Sequence, residues 1–195
     1  MITDETEYLT VRARAAAVFH LDARLPAQLF TAGDAQGSLV GDVSAFWDPD
    51  FWPAFQALAC YHGDRTVDFL LVDGPACVHL RDRGEYPALS MPVGASVDEY
   101  WDAVGFDSRG FSDAYVFLAE TVAVVGPSGR WGCWGERDHE LAVYLGFPNA
   151  AARERWREEH KPFFAEDSVA EYFSNVYRNR PPQGIVEEPI ANYFA

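Results

Sequence analysis

A surplus of acid set among abundant aromatic rings constrains this chain more than any motif does. Thirty Asp and Glu stand against fifteen Lys and Arg, a formal net charge of −15 on 195 residues, yet 15% of the residues are aromatic and 49% hydrophobic. Acidic chains that stay disordered lack the apolar side chains to offset the entropy lost on folding. This one has them in plenty, so a compact domain in a strongly negative field is expected, with a single domain over residues 1–195. Such a field repels nucleic acid and anionic membrane, and it speeds encounter with basic partners.

The charge is unevenly shared. Residues 150–180 hold six acids and six bases, whereas residues 1–149 hold twenty-two acids and nine bases. The negative field therefore belongs to the longer N-terminal part. The one basic run, Arg153, Arg155, Arg157 and Lys161, is interleaved with Glu154, Glu158 and Glu159. At helical spacing that pattern makes a salt-bridged, solvated face and not a nucleic-acid surface.

Cys60, Cys77 and Cys133 are widely spaced, each in an apolar stretch. An odd count without CxxC spacing argues against a disulfide framework or a zinc site. Read as buried, reduced thiols, they point to the cytoplasm. Met1–Tyr8 is acidic and shows none of the basic and apolar segments of a secretory signal. No run approaches the roughly 18 apolar residues that a membrane span requires.

Periodicity predicts an α+β fold with an antiparallel sheet packed against helices. Asp4 and Glu7 have capping-box spacing ahead of an alanine-rich segment, read as a helix to about Leu21, although alternation at Val11, Ala13, Ala15 and Ala17 also suits a strand. Residues 33–41 read as a loop. Asp48-Pro49 starts a helix carrying Phe51, Trp52, Phe55 and Leu58, which ends at His62-Gly63. Thr66–Val72 is a strand, and Asp73-Gly74 turns it back into a return strand at Ala76–Leu80, a hairpin near 66–80. Ser96 and Glu99 cap a short helix stopped by Gly105.

A loop over residues 106–113 leads into a meander near 115–145: Tyr115–Leu118, Thr121–Val125, Arg130–Trp134 and Glu140–Leu145. In it Trp131 shares a face with Cys133, and Leu141 with Val143 and Leu145. Two C-terminal helices follow. Asn149 caps the first, which Pro162 bends or ends. A Ser168/Glu171 capping box opens the second, which Pro181-Pro182 terminates. Ile190, Tyr193 and Phe194 suggest that the tail docks.

Chemistry-bearing patterns are sparse. The sequence shows no phosphate-binding or dinucleotide-binding glycine loop, no GxSxG elbow, no SxxK and no HExxH, so neither a cofactor nor a metal is expected. The Asp48/Asp50 and Asp107/Asp113 pairs flank helix starts or loops, where carboxylates serve structure. The turn Glu136, Asp138, His139, Glu140 lacks the spacing of a calcium loop and reads as a solvated turn, suited to rim a basic partner. Trp131 and Trp134 stand on opposite faces of one strand. The commoner outcome is that both pack beneath the terminal helices; the alternative leaves one of them on a binding face. A small hydrolase or transferase assembled from His79, Asp82, Cys133 and His139 is the competing reading.

The segment Gly129-Arg130-Trp131-Gly132-Cys133-Trp134-Gly135-Glu136-Arg137-Asp138, with the strand Glu140–Leu145, resembles hairpins of bacterial immunity proteins that neutralise polymorphic toxins. The resemblance covers about thirty residues of the chain, and it lacks the proline-tyrosine-asparagine-glycine pattern of the SUKH immunity superfamily. It implies a toxin inhibitor without catalytic residues, covering a basic toxin domain. Together with the charge, this favours a cytoplasmic protein-binding protein in which Trp134 is the anchor and Glu136, Asp138 and Glu140 form its acidic rim.

Overall fold

The computed structural model describes residues 1–31, 37–105, 119–160, 163–165, 168–178 and 184–194. The expected loop at 106–113, the strand Tyr115–Leu118 and the prolines 162, 181 and 182 lie outside the described residues.

The centre is a six-stranded antiparallel sheet in the order β1-β6-β5-β4-β2-β3. Its strands are β1 (Leu39–Asp42), β2 (Thr66–Leu71), β3 (Ala88–Pro92), β4 (Thr121–Val125), β5 (Gly132–Glu136) and β6 (Leu141–Leu145). The expected meander forms β4, β5 and β6, with Ala123 opposite Trp134 and Trp134 opposite Val143. The helices among the described residues are α1 (Glu5–Val18), α2 (Trp52–His62), α3 (Ala76–Arg83), α4 (Val97–Gly105), α5 (Ala150–Glu159), α6 (Val169–Val176) and α7 (Glu187–Tyr193). The chain is α+β, as its periodicity predicts.

Antiparallel sheets often leave one face wet, with alternating polar residues. Here both faces are covered, and every residue of β4 and β5 is buried. On one face Phe69, Val124, Cys133 and Tyr144 meet Trp52, Phe55 and Leu58 of α2, together with Tyr100 of α4 and Trp156 of α5. On the other, Leu70, Ala123, Trp134 and Val143 meet Val11, Ala15 and Val18 of α1, Phe173 of α6 and Tyr193 of α7. In α1 the buried positions Tyr8, Val11, Ala15 and Val18 recur every three or four residues, the stripe a helix needs to lie on a sheet. The sealed tryptophans keep their indole N–H groups satisfied: Trp52 donates to the Ala95 carbonyl at 2.7 Å, Trp156 to Ala54 at 3.0 Å and Trp131 to Asp64 at 2.8 Å.

Local capping follows the sequence in most places. Asp4 accepts the Glu7 N–H at 2.8 Å. Ser96 and Glu99 form a reciprocal pair, with Glu99 accepting the Ser96 N–H at 2.7 Å and Ser96 accepting the Glu99 N–H at 3.2 Å. The Ser168/Glu171 box does not form. Ser168 has helical backbone angles, makes no cap bond and pairs with Ala165 on the preceding turn.

Three other expectations are corrected. The return strand at Ala76–Leu80 is the helix α3, and β2 pairs instead with β3 after Gly84 and a further turn. Within the expected loop at 33–41, Leu39–Asp42 forms the edge strand β1, zipped to β6. The tail does dock, but as a third C-terminal helix, α7, whose Tyr193 is buried.

Candidate interaction surface

Trp134 cannot serve as an anchor. Its side chain has no solvent exposure, because strand parity points it at the face that α1 and the C-terminal helices cover. Its ring centroid lies 5.2 Å from that of Phe19, and the Arg24 guanidinium stands 6.0 Å from it. Glu136 is equally enclosed, at 2% exposure. One of its oxygens accepts the Trp134 indole N–H at 2.7 Å and the Leu25 backbone N–H at 2.8 Å. Burial pushes its pKa up, against the pull of those bonds and of His139 and Arg24. Trp131 is also sealed, on the opposite face. The two indoles thus occupy opposite faces as parity predicts, and helices cover both. Asp138 and Glu140 remain exposed on the β5–β6 turn.

The residues of the hydrolase reading are not assembled. His79 and Asp82 share α3, which buries none of its residues. Cys133 is sealed in β5, where burial pushes its thiol far up and leaves it un-ionised. His139 Nδ1 lies 2.9 Å from the Tyr177 hydroxyl. The expectation of three buried thiols is corrected too: Cys60 and Cys77 are exposed, and only Cys133 is enclosed. Cys60 follows the buried pair Leu58-Ala59 and faces outward from α2. Among the described residues no group of three or more His, Cys, Asp or Glu side chains could hold a metal ion. None of the described helices is long and apolar enough to cross a membrane.

An acidic surface does exist, beside the exposed turn acids. It is built where β1 ends at Asp42 and the chain runs through two 3-10 turns, Val43–Trp47 and Pro49–Phe51, before α2. Asp42 accepts the Ser44 N–H at 2.7 Å and Asp48 accepts the Asp50 N–H at 2.9 Å, so both carboxylates are fixed while they cap their turns. Two adjoining cavities share Asp42 and Ser44. One, of about 190 Å³, adds Asp48, Asp50 and Glu159 around Phe51 and His160. The other, of about 340 Å³, adds Trp47, Arg137 and Glu140.

Within the second cavity the part-exposed Trp47 ring carries the Arg137 guanidinium 5.8 Å from its centroid. Arg137 Nε donates to the Ala119 carbonyl at 2.7 Å. The turn is held down from the other side, for the Glu140 carbonyl accepts the Tyr172 hydroxyl at 2.6 Å and the Val43 N–H at 3.2 Å. Burial first, then the Asp42 and Glu140 carboxylates, keep that hydroxyl protonated. Burial also lowers the pKa of His160, so its ring adds little positive charge at neutral pH. The lining thus sets five carboxylates, Asp42, Asp48, Asp50, Glu140 and Glu159, against the single guanidinium of Arg137.

Sequence reasoning found Glu140 and missed Trp47. The available signal was the set of aspartates at 42, 48 and 50 around that tryptophan. Comparison with protein-family models, curated proteins and solved structures found no match to the chain.

Proposed function

We propose that this chain is a cytoplasmic protein-binding protein that masks a basic partner, and that it acts as the immunity protein of a bacterial toxin. The observation that carries the reading is the pair of adjoining cavities in which five carboxylates surround Trp47 and Phe51. The net charge of −15 steers a cationic partner toward the molecule. Fixed carboxylates at Asp42 and Asp48 meet its lysines and arginines without first having to be ordered, and the Trp47 ring offers an apolar contact at the centre. Asp138 and Glu140 keep the rim role assigned to them from sequence, with Trp47 in the place of Trp134. The three free cysteines accord with a reducing compartment.

The test is pull-down from the native host followed by titration of the chain against the basic protein recovered, and recovery of no basic protein overturns the reading. Association should slow steeply as salt rises. The triple variant Asp48→Asn, Asp50→Asn, Glu140→Gln keeps the polar shape and loses three charges, and it should slow association by on the order of tenfold or more. Trp47→Ala should speed dissociation. Binding that is indifferent to both salt and these substitutions would overturn the reading.

A further inference from the structure

A third cavity has the opposite electrostatic character to the acidic surface. It measures about 370 Å³ and lies between the end of β6 and the start of α5. That volume falls in the roughly 300–1,000 Å³ range of small-molecule clefts. Leu145 and Phe147 give it apolar walls, Arg130 reaches it from the β4–β5 turn and Arg153 from α5. In a chain where acids outnumber bases two to one, its lining holds two guanidiniums and no carboxylate.

The two arginines are available. Arg130 is exposed and makes no ion pair among the described residues. Arg153 is partly covered, and its ion pair among the described residues is with its neighbour Glu154, at 3.3 Å. The rest of the wall is fixed. The Gly146 carbonyl is engaged by His62 Nε2 at 2.5 Å, and the Phe147 ring packs 5.2 Å from that of Trp156. Asn149 Oδ1 already accepts the Ala152 N–H at 2.9 Å, so recognition falls to the guanidiniums and not to the helix end.

We propose that this cavity binds a small organic anion, a phosphate monoester or carboxylate bearing an apolar ring or chain. Arg130 and Arg153 clasp the anionic group between them, as planar guanidiniums do for carboxylate and phosphate oxygens. Leu145 and Phe147 take the apolar part. The site is independent of the acidic surface and of any protein partner.

The experiment is calorimetric titration of the full chain with phenyl phosphate and with benzoate, with inorganic phosphate, benzyl alcohol and benzamidine as comparators. Phenyl phosphate or benzoate should bind saturably, inorganic phosphate more weakly, and benzyl alcohol and benzamidine not at all. Arg130→Gln and Arg153→Gln should each weaken binding by about tenfold or more, the loss expected for one hydrogen bond to a charged group. Arg12→Gln, on the exposed side of α1, should leave it unchanged, and circular dichroism should show all three variants folded. No saturable binding of either anion, or equal affinity in both cavity variants, overturns the site. An equal response to inorganic phosphate overturns the assignment of an apolar moiety.

Discussion

The indole N–H of Trp134 donates to a carboxylate oxygen of Glu136 two residues along the same strand, at 2.7 Å, with both side chains closed off from water. The pair that looked like anchor and rim is a buried hydrogen bond at the heart of one face of the sheet. A carboxylate enclosed there, with Leu25 N–H as its second partner, is costly to ionise, and its pKa is raised mainly by burial.

That shift has a sign. A folded-state pKa above the unfolded value means that the native state binds more protons between the two, so this group's contribution falls as pH rises through that window. Glu136→Gln keeps an acceptor for both donors and removes the titration. The variant should therefore gain stability relative to wild type as pH is raised from about 4.5, the ordinary glutamate value, through the raised one. Urea unfolding across this pH range checks it, and parallel curves for the two proteins would refute it.

Trp134 and Trp47 should separate cleanly. Trp134→Ala empties a sealed site against Phe19 and should cost about 3–5 kcal/mol of stability by chemical denaturation. Trp47→Ala removes a part-exposed ring and should cost less while affecting binding more.

The Arg14 guanidinium on α1 reaches the Asp68 carboxylate on β2 at 2.6 Å, and Ser90 of β3 donates to the other oxygen at 2.6 Å. The Asp68 side chain is wholly buried, Arg14 only partly. Arg14→Met leaves an enclosed charge with one hydrogen bond and should destabilise by about 3 kcal/mol or more. Replacing both members, by Arg14→Met with Asp68→Leu, should recover much of that loss. Denaturation midpoints of the single and double variants decide it.

Asn149→Ala removes the side-chain acceptor at the start of α5 and should cost about 1 kcal/mol, while Asn149→Asp should cost little. Thermal melts of the two variants provide the comparison.

Legibility of the fold tracked how local each signal was. The Ser96/Glu99 box and the β4–β6 meander are written in spacings of two to four residues, and both form. Ala76–Leu80 reads as a strand because Cys77 and Val78 suit one, yet α3 buries none of its residues and so carries no amphipathic imprint. The true partner of β2 arrives at Ala88–Pro92, a pairing set by contacts distant in sequence. β1 is four residues long, and only its zipping to β6, about a hundred residues away, makes it a strand. At the candidate surface the acids were legible as charge, but the choice of ring was not. Trp134 became core because its parity places it under α1, whereas Trp47 sits on a 3-10 turn and is only partly buried against the core of the other face. The glycines of the tryptophan segment record that covering. A Cβ on Gly132 would lie 2.6 Å from the Phe19 ring, and one on Gly135 would lie 2.7 Å from Val43.

Both margins of the sheet are partly occupied by the chain itself. Phe163 and Phe164 bond along β1, where the Phe164 N–H reaches the Val40 carbonyl at 2.8 Å. Ile2 does the same for the segment entering β3, and Pro92 ends that strand without a donor. A visiting peptide therefore finds few vacant main-chain positions on which to extend the sheet by one more strand. Fibril-like stacking of copies meets the same obstacle. Recognition by exposed side chains leaves specificity free to drift through single surface substitutions while the scaffold beneath stays intact.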